Sequence, residues 1–150
     1  MSTCTFRPAA PGDEELILTF IRALADYEKM SGQVVATPEI LREWIFEKKT
    51  AEVIFAEVEG KAVGYALFFH NFSTFLGRAG IYLEDLFVLP EARGRGFGKG
   101  LLQELARITV ERGCGRLEWA FFFFYKASIE FYTKKMRAVP MDGWTVYRLT

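Results

Sequence analysis

A chain of 150 residues, 51% apolar and 25% charged, has the size and balance of one globular domain with one core. Its 19 basic side chains offset 19 acidic ones. That argues against a nucleic-acid binder relying on bulk basicity, and it leaves no long-range field to steer a polycation. Cys4 and Cys114, with no CxxC, and the single histidine His70 give neither a disulfide framework nor a zinc cluster, so no metal is expected.

A reducing, cytoplasmic setting is the simplest one for two scattered cysteines. The start, MSTCTFRPAAPGDEE, lacks the charged-then-apolar shape of a signal peptide. No run approaches the roughly 18 apolar residues of a membrane span. Neither nucleic acid nor membrane is an expected partner.

In chain order, Thr3 to Arg7 alternates and predicts a strand, followed by a turn over Pro8 to Gly12. Asp13 is placed to cap a helix with Glu14 and Glu15 in its positive first turn. The stripe Leu16, Ile17, Phe20, Ile21, Leu24 and Tyr27 carries that helix to about Met30. Glu28 falls near its end, where a negative charge opposes the dipole; by itself it reads as a surface glutamate. After a loop over Ser31 to Ala36, Thr37-Pro38-Glu39 reads as cap, first position and first-turn acid of a second helix, which runs to about Lys48.

Val53 to Glu59 and Ala62 to Asn71 predict a hairpin around Glu59-Gly60-Lys61. Gly64 inside its second strand suggests a bulge or a close approach. Phe72 to Gly80 reads as a loop, and Ile81 to Leu89 as a strand. Glu84 and Asp85 are neighbours on it, so regular alternation turns them to opposite faces. Leu101 to Arg112 predicts a helix, closed by Gly113 to Gly115. Arg116 to Phe122 predicts a strand, Lys126 to Met136 a short helix, and Trp144 to Leu149 a last strand. The order β-α-α-β-β-β-α-β-α-β implies a mixed sheet with helices on its faces, an α/β (α+β) fold in one domain over 1–150.

Between the strand at 81–89 and the helix at 101–112 lies Arg93-Gly94-Arg95-Gly96-Phe97-Gly98-Lys99. Glycines there let a ligand touch the backbone where the first helical N–H groups lack partners. The reading is a phosphate or pyrophosphate site. A magnesium-binding phosphate loop needs Ser or Thr after Gly98-Lys99, and Gly100 stands there. A dinucleotide fingerprint from Gly94 and Gly96 needs glycine at 99, which is lysine.

What remains, Arg93-x-x-Gly96-x-Gly98 after Val88-x-Pro90-Glu91, resembles the acetyl-CoA pyrophosphate loop of the GNAT superfamily of N-acetyltransferases. Ala25-Asp26-Tyr27-Glu28-Lys29, Ser73 to Arg78 and Ile81-Tyr82-Leu83-Glu84-Asp85-Leu86 are similar to its spermidine/spermine (diamine) N-acetyltransferase subgroup, which includes thialysine acetyltransferases. Ile129 to Tyr132 and Met141 to Trp144 resemble that subgroup's last helix and end. The resemblance implies a GNAT fold, acetyl-CoA as cosubstrate, and transfer to a primary amine of a small polyamine, diamine or lysine-like acceptor.

It further implies that the backbone from Arg93 through Gly94, Arg95, Gly96 and Phe97 to Gly98, with Lys99, holds the pyrophosphate. Phe87 and Val88 pair with the pantetheine arm. Tyr132 is the general acid. Tyr27, Glu28, Glu84 and Asp85 line the amine side, and Phe75 stands at the substrate entrance. A homodimer is implied as well. The chemistry agrees with these residue types. An amine attacks only when neutral, and a polyamine is mostly protonated near pH 7. Glu84 can accept its proton, and a phenol is a suitable donor to a leaving thiolate, typically giving about 10²–10⁴-fold.

Residues 121–137 depart from the resemblance. Tyr125 stands where the family carries a cofactor-contacting Asn, inside Phe121 to Ser128. Either this segment has truly diverged or the sequence carries a local error. Two other readings follow: an acetyltransferase for another amine, such as a peptide or protein, or a CoA-binding module with impaired catalysis.

Overall fold

The computed structural model describes residues 3–120 and 130–150. It forms two compact units, Met1–Trp119 and Ala120–Thr150. The first is built from β1 (Cys4–Pro8), α1 (Glu14–Tyr27), α2 (Pro38–Leu41), β2 (Glu52–Val58), β3 (Lys61–Ser73), β4 (Arg78–Val88), α3 (Phe97–Glu111) and β5 (Leu117–Trp119). The strands form one sheet in the order β1-β2-β3-β4-β5. All neighbours are antiparallel except β4 and β5, which are parallel. The expected mixed sheet with helices on its faces is present.

Alternation sorts the strand side chains to two sides. Val53, Phe55, Tyr65 and Phe87 meet Ile17, Leu18 and Phe20 of α1, with Leu41 and Ile45 beside them. On the opposite side α3 buries Leu101, Leu102 and Leu105. Two close approaches seat α3. A Cβ on Gly100 would meet the Phe6 ring at 2.8 Å, and one on Gly64 would lie 3.4 Å from the Leu101 side chain and 3.1 Å from the Phe87 carbonyl. Gly64 is therefore a point of close approach, as expected of a glycine inside a strand.

Several predicted boundaries are corrected. Asp13 does not cap α1 with its side chain. Its carboxylate accepts from Arg7 at 2.8 Å and from the Ala10 N–H at 2.8 Å, and so holds β1 and the turn instead. α1 ends at Tyr27 with Glu28 as its cap, because Lys29 takes the left-handed conformation (φ 58°) and the Met30 N–H turns back to the Ala25 carbonyl at 2.8 Å. The second helix starts as expected, with Thr37 Oγ1 accepting from the Ile40 N–H at 3.2 Å, but from Arg42 to Glu47 it widens into a π-helical turn.

The predicted loop over Phe72 to Gly80 is mostly strand: β3 reaches Ser73 and β4 begins at Arg78, pairing directly with it. α3 begins four residues earlier than its apolar stripe, inside the glycine run. Glycines hide helical periodicity, because they contribute no apolar face. The predicted strand over Trp144 to Leu149 is not formed. Those residues are non-helical and exposed, with no strand partner among the described residues, and alternation without a ladder does not make a strand. In the second unit a π-helical turn spans Phe131–Lys135. Residues 126–129 of the predicted short helix, the end of the strand at 121–122, and Tyr125 lie outside the described residues.

Candidate active site

β4 does not run as an even strand. Leu67 pairs with Asp85 while the next residue, Phe68, pairs with Leu83. Glu84 is the extra residue of a β-bulge, which resets the alternation. Leu83 lies across from Phe68, toward α3. Asp85, two residues on, lies across from Leu67, on the α1 side with Phe87. The bulge interrupts the even alternation of β4 between Leu83 and Asp85. Glu84 is exposed, and its charge acts on both Tyr65 and Tyr82. The parallel register with β5 covers only Ile81–Leu83. From Asp85 to Val88 no described strand continues on that side.

The end of β4 is tied to the end of α1 by three side chains. The Tyr27 ring meets Phe87 edge-on at 6.1 Å. The Arg93 guanidinium lies 4.7 Å from the Tyr27 ring centre and 5.0 Å from that of Phe87. Its Nε donates to the Val88 carbonyl at 2.9 Å. Each cation–ring contact contributes about 0.5–1 kcal/mol at a partly open site, and together they set where Glu28 lies.

Glu28 is thereby within reach of Asp85. Burial raises the Asp85 carboxyl above the ordinary carboxylate value, and a hydrogen bond from Tyr65 pulls it partly back. That bond, from the Tyr65 hydroxyl to Asp85 Oδ2, measures 2.5 Å. Glu28 is raised as well, first by burial and then by the Asp85 charge. The Tyr65 phenol is held well above its ordinary value, by burial first and then by Asp85, so it remains a donor. Among the described residues no basic side chain forms an ion pair with Glu28 or Asp85. Two half-buried acids that repel each other gain from an incoming cation.

Beside the acids lies the glycine run. The Arg93 N–H already donates to the Pro90 carbonyl at 3.3 Å, so the open amides begin after it. Gly94 (φ 78°) and Gly96 (φ 85°) adopt left-handed conformations, and a Cβ on either would meet nothing within 4 Å. Gly96 caps α3. The amides of Phe97, Gly98 and Lys99 form its first turn, with no carbonyl a turn earlier to accept from them. This positive, side-chain-poor bed suits an anionic group.

The structure thus brings Tyr27, Glu28, Asp85, Phe87, Val88 and Arg93 together, with Glu84 at the bulge and Gly94 to Lys99 in the next loop. It does not bring Phe75 to them. Phe75 is 99% exposed at the tip of the β3–β4 hairpin, and six strand residues lie between Arg78 and Asp85, whose β3 partners are six steps apart, about 20 Å. Tyr132 belongs to the second unit. There its ring packs edge-on against Phe131 at 5.6 Å, and burial raises its phenol. Tyr65 is the site residue that sequence reasoning missed. Its alternation with Ala66 and Leu67 places it inside, and a buried tyrosine calls for a hydroxyl partner, but only the bulge shows that Asp85 is that partner.

Among the described residues, an acid pair at the end of β4 stands next to a glycine-rich helix start, an arrangement suited to a cationic group beside an anionic one. Residues 19–136 match the Acetyltransferase (GNAT) family, and the chain belongs to that family. It is similar to the Bos taurus thialysine N-epsilon-acetyltransferase, with 36% identity over 99% of this chain and 93% of that protein. It is also similar to the human spermidine/spermine N(1)-acetyltransferase-like protein 1, with 28% identity over 95% of this chain and 22% of that protein. Among solved structures, an integron cassette protein from the mobile metagenome of V. cholerae superposes with a TM-score of 0.80 at 25% identity, covering 98% of this chain and 92% of that one.

Proposed function

We propose that this N-acetyltransferase acts on a primary amine of a small diamine, polyamine or lysine-like acceptor such as thialysine, with acetyl-CoA as cosubstrate. The observation that carries the reading is the double use of one strand end: Glu28 and Asp85 form an acid pair with no ion-pair partner among the described residues, where β4 leads into the glycine run of Gly94 to Lys99. The names of the similar proteins favour the same acceptor class. The bed at Gly94 and Gly96 fits acetyl-CoA, because a Cβ at either glycine would stand in open space where a phosphate needs the backbone.

In this reading acetyl-CoA supplies an acetyl group already activated as a thioester. The amides of Phe97, Gly98 and Lys99 hold its pyrophosphate, and the Phe87–Val88 edge lies along its arm. Glu28 and Asp85 bind the ammonium of the acceptor that does not react, with Tyr27 as a wall. Glu84 takes the proton from the reacting nitrogen, directly or through water. Tyr132 Oη is the proton donor to the departing sulfur. Phe75, at the hairpin tip remote from Asp85, is assigned to the acceptor entrance only through a second copy of the chain, which a homodimer supplies. One N-acetyltransferase domain over 1–150 is part of the proposal, supported by a family match that crosses the boundary between the two units. Among the described residues no group of three or more His, Cys, Asp or Glu is placed to hold a metal, and no described helix is long and apolar enough to cross a membrane. A cytoplasmic setting is the remaining element.

The test is an amine panel of spermidine, 1,3-diaminopropane, thialysine, lysine and peptide acceptors, read by release of the CoA thiol. Preference for the small di- and polyamines or thialysine is expected; preference for a peptide N-terminus overturns the acceptor class. Binding of acetyl-CoA by calorimetry with no transfer to any amine favours the impaired module that Tyr125 suggests. Tyr132→Phe is expected to lower turnover about 10²-fold or more with acetyl-CoA affinity unchanged, and unaltered turnover across the pH range removes Tyr132 from the acid role.

A further inference from the structure

Tyr65 has no part in the roles assigned so far. Its ring is fully buried, stacked on Phe20 at 5.2 Å and paired across the sheet with Phe87. A phenylalanine would serve that packing equally well, and a hydroxyl there must be taken out of water. Among the described residues the hydroxyl has one partner, Asp85 Oδ2 at 2.5 Å, and no other side chain donates to Asp85, which leaves Oδ1 for an incoming donor. A carboxylate anchored through one oxygen is held in one orientation, and the hydrogen bond favours its ionised form.

We infer that Tyr65 is a positioning residue of the acceptor site: its hydroxyl anchors Asp85 through Oδ2, so that Oδ1 is presented, ionised, to the ammonium of the acceptor. This rests on the proposed acceptor class. At the bulge β4 changes face: Leu83, across from Phe68, lies on the α3 side, while Asp85, across from Leu67, lies with Phe87 and Tyr65 on the α1 side. The charged groups around the pair come from three elements. Glu28, from the end of α1, repels Asp85. Glu84, on β4 itself, acts on Tyr65. Arg93, from the following loop, is engaged by the Val88 carbonyl and two rings. The Tyr65 hydroxyl is thus the group that holds Asp85 toward its ionised form against burial.

The test is Tyr65→Phe in the full chain, with Asp85→Asn and the double variant beside it. The Asp85 carboxyl is followed by carbon NMR titration without acceptor. Initial rates are measured against pH with spermidine and thialysine. Expected in Tyr65→Phe are an Asp85 midpoint moved to higher pH and an acidic limb of kcat/KM for the amine moved the same way. The amine KM is expected to rise roughly ten-fold, as for one charge-assisted hydrogen bond lost. The KM for acetyl-CoA and the Tm stay near those of the parent, and Tyr65→Phe adds nothing once Asp85 is Asn. An unmoved Asp85 midpoint, or equal losses toward both substrates, overturns the inference. Because the titration needs no acceptor, a parent enzyme that acetylates none of these amines overturns the acceptor class separately, while the midpoint still decides whether Tyr65 sets Asp85.

Discussion

Around Ile81–Leu83, β4 has a strand on either side, β3 and β5; from Asp85 to Val88 it has β3 alone among the described strands. The first half puts Ile81 and Leu83 into the packing, both essentially inaccessible. The second half carries an acid held by a buried tyrosine, and leads into a loop of open amides. The two halves differ by one inserted residue. The bulge at Glu84 comes where the parallel register ends, and it turns Asp85 to the α1 side, where α1 delivers Glu28. The second half of β4 also lies next to the start of α3, where the helix dipole and glycines are available.

The sharpest way to break this contrast is to delete Glu84. Pairing in step with β3 would then carry either the acid or the apolar half to the wrong face. Burying Asp85 without Tyr65, or exposing Ile81 and Leu83, is expected to cost about 4 kcal/mol or more. Urea denaturation reads the loss, and a variant as stable as the parent removes the bulge from its central place. A smaller effect is expected from Gly96→Val. The left-handed cap conformation costs a branched residue about 1–2 kcal/mol, and the new side chain stands in the open bed. A lower Tm should accompany acetyl-CoA affinity reduced by about ten-fold or more in calorimetry, with the acid half left intact.

The smallest expected change in stability is that of Glu28→Gln, and its sign separates the site from the packing. Glu28 and Asp85 both hold their protons more tightly in the native state than in the unfolded chain, by burial first. Their contribution to stability is therefore fully present below the ordinary carboxylate range, near pH 4, and is lost as pH rises through the raised native values. Removing Glu28 should make that decline shallower, leaving Tm near pH 7 equal to or above the parent's. The KM for the amine should rise at the same time. A thermal-shift series from pH 4 to 7 checks the slope, and a steeper decline than the parent's counts against the acid pair.

Much of the architecture could be read from residue order because it depends on local chemistry. Thr37-Pro38 starts a helix, Glu59-Gly60 turns a hairpin, and Gly113 closes α3, with the Cys114 N–H returning to the Thr109 carbonyl at 3.0 Å. The glycine run was legible as an anion site for the same reason, since strand, glycines and helix are contiguous. The approach of Glu28 to Asp85 was not legible from spacing; the residues are 57 positions apart, and only the Tyr27–Phe87–Arg93 clamp joins them. Nor was the failure of the 144–149 alternation to become a strand, since pairing is a property of neighbours.

By itself the sequence determined the family, the mixed sheet, the glycine run proposed to accept an anionic carrier, and the acids proposed for the amine. Those follow from contiguous patterns whose physical cause lies within a few residues. Only the tertiary structure decided which face Asp85 takes, that Tyr65 is its partner, and that Glu28 comes near it. The first two depend on strand register, which a single inserted residue can reverse without leaving a mark in composition or periodicity.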